Sequence, residues 1–304
     1  MATLPNPLPK LAADPSGHTL GLELPAGRLI DAVGTSHAPE AVGDSNGRWH
    51  EPLLWHADGP AAPGGWAALE PARRTSGLLP LLIDVGGGQG GPEDWQLTPG
   101  EMSYPGDHDA EEVLAEYWDD YAADELGADE NHPVTKAVVE IFGEQGTYEE
   151  AIAPFGPAWP GLAPATARGA DPEACAAEVA DSLTDSGSWL KEPRLALVPA
   201  RRSADIPAAI GWSGPLHHEG DVARLCAVLR SWEDRFGIRV VALTFDRLVL
   251  SVAAPPATRD EAEAVAAEHF AFCPDNITQG HHDALRAYAE HEVLDRRVWS
   301  FWWD

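Results

Sequence analysis

Apolar positions in the C-terminal third follow two periods, one near 3.6 and one of 2. In "DVARLCAVLRSWEDRFG", Val222, Leu225, Cys226, Leu229, Trp232 and Phe236 form one stripe, and Gly237 stands where a helix would end. "TRDEAEAVAAEHFAF" opens with Thr258 and Glu261, the spacing of a capping box, and predicts a second helix. "DALRAYAEHEVL" predicts a third. Strands are predicted at "PRLALVPA", at "IPAAIGW", and twice in "IRVVALTFDRLVLSVA", with a tight turn at Phe245-Asp246-Arg247. The closing "RRVWSFWWD" alternates: Trp299, Phe301 and Trp303 share one face, while Val298, Ser300, Trp302 and Asp304 share the other. Strands and helices in the order β-β-α-β-β-α-α-β predict an α+β fold, a mixed or antiparallel sheet with helices packed on one face.

The pattern before residue 190 is less regular. Residues 1–16 read as a loose arm. "HTLGLELPAGRLI" reads as strand, turn and strand, the stretch 36–50 as turns, "EPLLWHAD" as a short strand and "GPAAPGGW" as a loop. In "TSGLLPLLIDV" the near-continuous Leu78, Leu79, Leu81, Leu82 and Ile83 predict a strand covered on both faces, with Pro80 arguing for an edge or a bulge. A long Gly/Pro-rich loop follows. Val113, Leu114, Tyr117 and Tyr121 then fall at helical spacing, with acids in the first turn. A short helix is predicted over 134–143, and "APFGPAWPGLAP" is a break. Asp171 and Pro172 mark the cap and first turn of another helix. The reading divides the chain into an acidic, loop-rich α+β N-terminal region (1–165), a linker helix (166–192) and a C-terminal α+β domain (193–304).

Charge sharpens that division. The net charge is -29. Residues 1–189 carry 32 acids against 7 bases, and residues 190–304 carry 17 against 13. Such a surface repels nucleic acid and anionic membranes, so neither is expected as a partner, whereas a basic protein partner or a cationic ligand is suited. The plainer reading is a solvated acidic face that keeps the chain soluble. No apolar run approaches the length of a membrane span, and no secretory leader pattern opens the chain. Three scattered cysteines, Cys175, Cys226 and Cys273, make neither a disulfide framework nor a zinc pattern, which fits a reducing, cytoplasmic setting.

"GLLPLLI", then "LRSWEDRFG", "LSVAAPPAT", "AEHFAFCPDNI" and "VWSFWWD", taken in order and spacing, resemble the bacterial domain-of-unknown-function family numbered 4253. The resemblance covers residues 194–304 closely and touches "EPLLWHAD" and "TSGLLPLLI" upstream. It implies a soluble, mostly bacterial protein whose signature is the aromatic and Asp positions near the C-terminus. It implies no activity. Proteins of this type are similar in character to the acidic immunity and accessory proteins of bacterial toxin systems.

Several residues could carry chemistry, and each has a plainer alternative. Cys273, with His269 one turn upstream and Asp275 two positions on, could form a Cys-His nucleophile site. A buried thiol beside a turn-forming Asp is the alternative. His217-His218 and His281-His282 could converge on a transition metal, or serve as polar residues before helices. Glu116, Asp119 and Asp120 could hold a cation or a basic partner, or form a solvated helix face. Trp302 and Asp304 could line a binding site, and Asp304 is expected to meet a basic group or open solvent, because a buried carboxylate is costly. "DVGGGQGG" lacks the Lys-Ser/Thr ending of a phosphate loop. No cofactor is called for. The expectation is therefore a non-catalytic binding protein that offers an acidic surface to a basic partner. The alternative is an enzyme with a Trp-lined acidic cleft between the two halves, acting on a cationic or sugar-like molecule, with Cys273, Asp275, His269 and Asp304 as its catalytic candidates.

Overall fold

The computed structural model describes residues 6–32, 52–127, 152–167, 169–282 and 284–304. The turn-rich stretch 36–50 and the helix expected over 134–143 lie outside the described residues. Seven strands form one sheet in the order β1-β2-β4-β3-β5-β6-β7. They are β1 (Gly27–Asp31), β2 (Pro52–Ala57), β3 (Leu78–Asp84), β4 (Pro193–Pro199), β5 (Arg239–Leu243), β6 (Arg247–Ser251) and β7 (Val298–Trp302). Every neighbouring pair is antiparallel except β3 and β5, which run parallel. The class is α+β with a mixed sheet, as the sequence predicts.

The sheet passes through the expected boundary at residue 193. β3, from the N-terminal part, lies between β4 and β5 of the C-terminal part. β3 is therefore central, and all seven of its residues are buried, as its continuous apolar run requires. Pro80 is tolerated there because the β5 ladder reaches only Leu82 and Ile83, so β4 alone flanks Pro80.

Nine helices among the described residues cover both faces. They are α1 (Pro9–Ala13), α2 (Gly65–Ser76), α3 (Ala110–Gly127), α4 (Pro172–Thr184), α5 (Ile206–Ile210), α6 (Val222–Phe236), α7 (Arg259–Phe272), α8 (Asp275–Thr278) and α9 (Leu285–Tyr288). Alternation along β3 divides the core: Leu79, Leu81 and Ile83 join the cluster built with α3, α5, α6 and α7, while Leu78 and Leu82 point to the side of α1, α2 and α4. α5, α6 and α7 of residues 194–304 thus share one face with α3, and α1, α2 and α4 cover the other.

Local signals explain most of these elements. Asp221 caps α6 by accepting from the N–H of Ala223 at 3.2 Å, and Gly237 ends it at φ 65°. Thr258 and Glu261 form the expected capping box of α7. Asp171 occupies the cap position of α4 without a side-chain capping bond. Three expectations are corrected. "IPAAIGW" forms α5 and not a strand, and Gly211 at φ 65° turns the chain out of it. In "HTLGLELPAGRLI" only the second strand, β1, forms. The arm is not loose from residue 8 onward, because Leu8 and Leu11 are buried beside Trp55 and Leu69.

Candidate functional site

The parallel pair β3 and β5 ends at one rim of the sheet. Leu82 pairs with Ala242 and Ile83 with Leu243, so the chain leaves both strands at the same level. Crevices at the carboxyl ends of such strands are favoured ligand sites, because connections diverge there and leave space. A cleft of about 400 Å³ opens at this rim, within the usual size of small-molecule sites. One wall is Asp84 with the glycine-rich loop, Gly87 to Gly90. The other is the β5–β6 turn, Thr244 to Arg247, and Trp189 and Lys191 complete it.

Each wall is fixed by its own polar bonds. The Asp84 carboxylate accepts from the backbone N–H groups of Gly86 (3.1 Å), Lys191 (3.1 Å) and Glu192 (2.7 Å), which ties the glycine loop to the segment entering β4. Trp95 Nε1 donates to the Gly90 carbonyl at 3.2 Å and holds the far end of the loop. In the turn, Thr244 Oγ1 donates to Asp246 Oδ1 at 2.9 Å and accepts from the N–H of Arg247 at 3.0 Å. From behind, Trp212 Nε1 donates to the Thr244 carbonyl at 2.9 Å, and the Trp303 N–H donates to the Asp246 carbonyl at 3.2 Å.

What faces the opening is aromatic and cationic. Trp189 is 46% exposed and Phe245 37%, two of the few large apolar side chains left in solvent. The Arg247 guanidinium stands 5.3 Å from the Trp189 ring centre and 6.0 Å from that of Trp302. Of the stretches singled out from sequence, the glycine run "DVGGGQGG" supplies one wall, and Trp302 lies next to the cleft against Arg247.

The others lie elsewhere. Cys273 and His269 are fully buried and serve the core. Cys273 Sγ donates to the Trp302 carbonyl at 3.0 Å, and burial pushes its thiol pKa well up, the opposite of what a nucleophile needs. His269 Nδ1 meets the Tyr288 hydroxyl at 3.1 Å, and burial, with Arg235 adding to it, lowers its pKa to about 3. Asp275 caps the chain end, accepting from the N–H of Asp304 at 3.3 Å and from Gln279 Nε2 at 3.0 Å. Asp304 itself is exposed. Glu116 pairs with Arg224 at 2.6 Å, while Asp119 and Asp120 lie exposed on the same helix, α3.

The histidine pairs do not meet. His218 packs its ring 4.9 Å from Tyr117 beside α6, and His217 is exposed. His282 stacks on His291 at 5.0 Å and pairs with Glu292 at 3.1 Å, and His281 is exposed. Among the described residues there is no group of three or more metal-ligating side chains.

The fold is that of an α+β protein with a mixed sheet, and a cleft of small-molecule size opens at the ends of its parallel strands. Residues 194–304, from β4 to the end of the chain, match the family described as "Domain of unknown function (DUF4253)". No curated protein and no solved structure matches the chain. Among the described residues no helix is long and apolar enough to cross a membrane.

Sequence reasoning did not single out Trp189, Lys191, Phe245 or Arg247, which line the cleft. The glycine run and the Phe245–Arg247 turn were visible as loops, but only the pairing of β3 with β5 brings them together.

Proposed function

We propose that this is a non-catalytic binding protein that holds a small molecule in the cleft between Trp189 and Phe245. One observation carries the reading: two exposed aromatics border a pinned cleft at the carboxyl ends of the parallel strands. The side chains first suspected of catalysis, Cys273 and His269, are occupied in core packing, which favours binding over covalent chemistry. The test is a titration of the full chain with aromatic ligands, watched through the Trp189 signal and repeated with Gly88→Leu. Gly88 lines the cleft and a Cβ there would meet nothing within 4 Å, so the substitution adds bulk at the cleft wall without a clash against the fold.

A second reading rests on α3. Its buried face is Val113, Leu114, Tyr117 and Trp118, and its outer face presents Glu111, Glu112, Asp119 and Asp120 to solvent. This face suits a basic protein partner of the kind that immunity or accessory proteins meet. Association would be fast and would weaken as salt screens it. A pull-down at low and high salt checks it: retention that is indifferent to salt contradicts this reading. The three cysteines are buried and unpaired, which favours a reducing, cytoplasmic setting for either role.

A further inference from the structure

We propose that the ligand of this cleft is a flat ring bearing an anionic group, an aromatic phosphate or carboxylate. The inference rests on the binding reading above and adds the chemical class. It starts from the charges that line the cleft. Both oxygens of Asp84 are taken by backbone N–H groups, and Asp246 Oδ1 accepts from Thr244. These bonds hold both carboxylates in the walls, where each keeps its negative charge. Lys191 and Arg247 are different: neither has a carboxylate within ion-pairing distance among the described residues. Arg28, Arg194, Arg230 and Arg235 each meet one. Lys191 and Arg247 thus line the cleft without a carboxylate ion pair among the described residues, in a chain of net charge -29.

The backbone adds donors. The N–H groups of Gly87 and Gly88 have no acceptor among the described residues, and the space where their Cβ atoms would stand is open. Glycines there let an anion approach the main chain closely. The aromatic component follows from Trp189 and Phe245, whose exposed rings offer stacking surface. A cationic ligand is disfavoured, because Arg247 already occupies the cation–π position on Trp189 and would repel it. The proposed ligand thus differs in charge from the cationic one that the sequence alone suggests as an alternative.

Isothermal titration of the full chain with four probes tests the class: 1-naphthyl phosphate, 1-naphthoate, neutral 1-naphthol and 1-naphthylmethylammonium. Three proteins are compared, the parent, Lys191→Glu and Gly88→Leu. Lys191 is exposed and its side chain meets no polar partner among the described residues, so its reversal is expected to leave the fold intact. The proposal expects at least one anionic probe to bind about tenfold or more tighter than naphthol, the ammonium probe to bind weakest, and Lys191→Glu to remove the anion's advantage. The two anionic arms separate a phosphate from a carboxylate ligand. Equal or tighter binding of naphthol or the ammonium probe overturns the anionic class, and the cleft still stands if Gly88→Leu blocks that binding. Binding that survives Gly88→Leu, or no binding by any probe, overturns both.

Discussion

His269 has one ring nitrogen bonded to Tyr288 and one buried without a partner among the described residues, and the rings of Trp232, Trp299 and Phe301 surround it. Its neutral form is the one the core accepts. In the unfolded chain it takes a proton near pH 6.5, but in the folded chain only near pH 3. The unfolded state therefore binds more protons between these values. Its contribution to stability is complete above pH 6.5 and is lost as pH falls toward 3, at about 1.4 kcal/mol per pH unit. Urea unfolding at pH 6.5 and 4.5 should show about 2–3 kcal/mol more acid loss in the parent than in His269→Phe. Equal losses in the two proteins would contradict this role. Next to it, Glu268 is completely buried and accepts from Arg235 at 2.5 and 2.7 Å, from Trp232 Nε1 at 2.7 Å and from the N–H of Ala163 at 2.6 Å. Neither role was legible from residue type. His269 and Cys273, near one another in sequence, read as chemistry, and only their burial shows that they are fastened to the core.

At the scale of elements, β7 was the most legible. Its alternation places Trp299, Phe301 and Trp303 in the core, leaves Val298, Ser300 and Asp304 exposed and Trp302 half-buried, as its period of two requires. β7 is also an edge strand, and a side chain closes part of that edge. Asn276 donates through Nδ2 to the Ser300 carbonyl at 2.7 Å and accepts from the Trp302 N–H at 3.2 Å through Oδ1. Its amide stands in for a neighbouring strand and blunts unwanted pairing. Burying Trp299 and Phe301 contributes about 1.5–3 kcal/mol each. Deleting residues 299–304 should therefore abolish cooperative thermal unfolding, and a truncated chain that still melts sharply would refute the assignment. Short apolar runs were less legible. "IPAAI" could be strand or helix, and tertiary context chose the helix. α2 was missed because Pro71 lies inside it and glycines open it, although Trp66, Leu69 and Ala72 keep helical spacing.

At the scale of the molecule, the fold class was legible because strand and helix periods alternate irregularly, but the strand order was not. Local pattern cannot show that β3 inserts between β4 and β5. That insertion joins the acidic N-terminal part to residues 194–304, and it creates the parallel rim where the cleft opens. The residues that line the cleft lie in three separate stretches, 84–90, 189–191 and 244–247, and none has a motif of its own. Charge pointed outward, to the acidic surface, and hid two cations in a cleft. The central claim is that this cleft is where the protein binds. Fluorine NMR of the full chain labelled with 5-fluorotryptophan, titrated with 1-naphthyl phosphate, tests it most directly. The account predicts that the Trp189 resonance moves first, that Trp302 follows through Arg247, that buried Trp55 and Trp232 stay in place, and that Gly88→Leu abolishes the response. Shifts confined to other tryptophans, or a Trp189 response unchanged by Gly88→Leu, would contradict it.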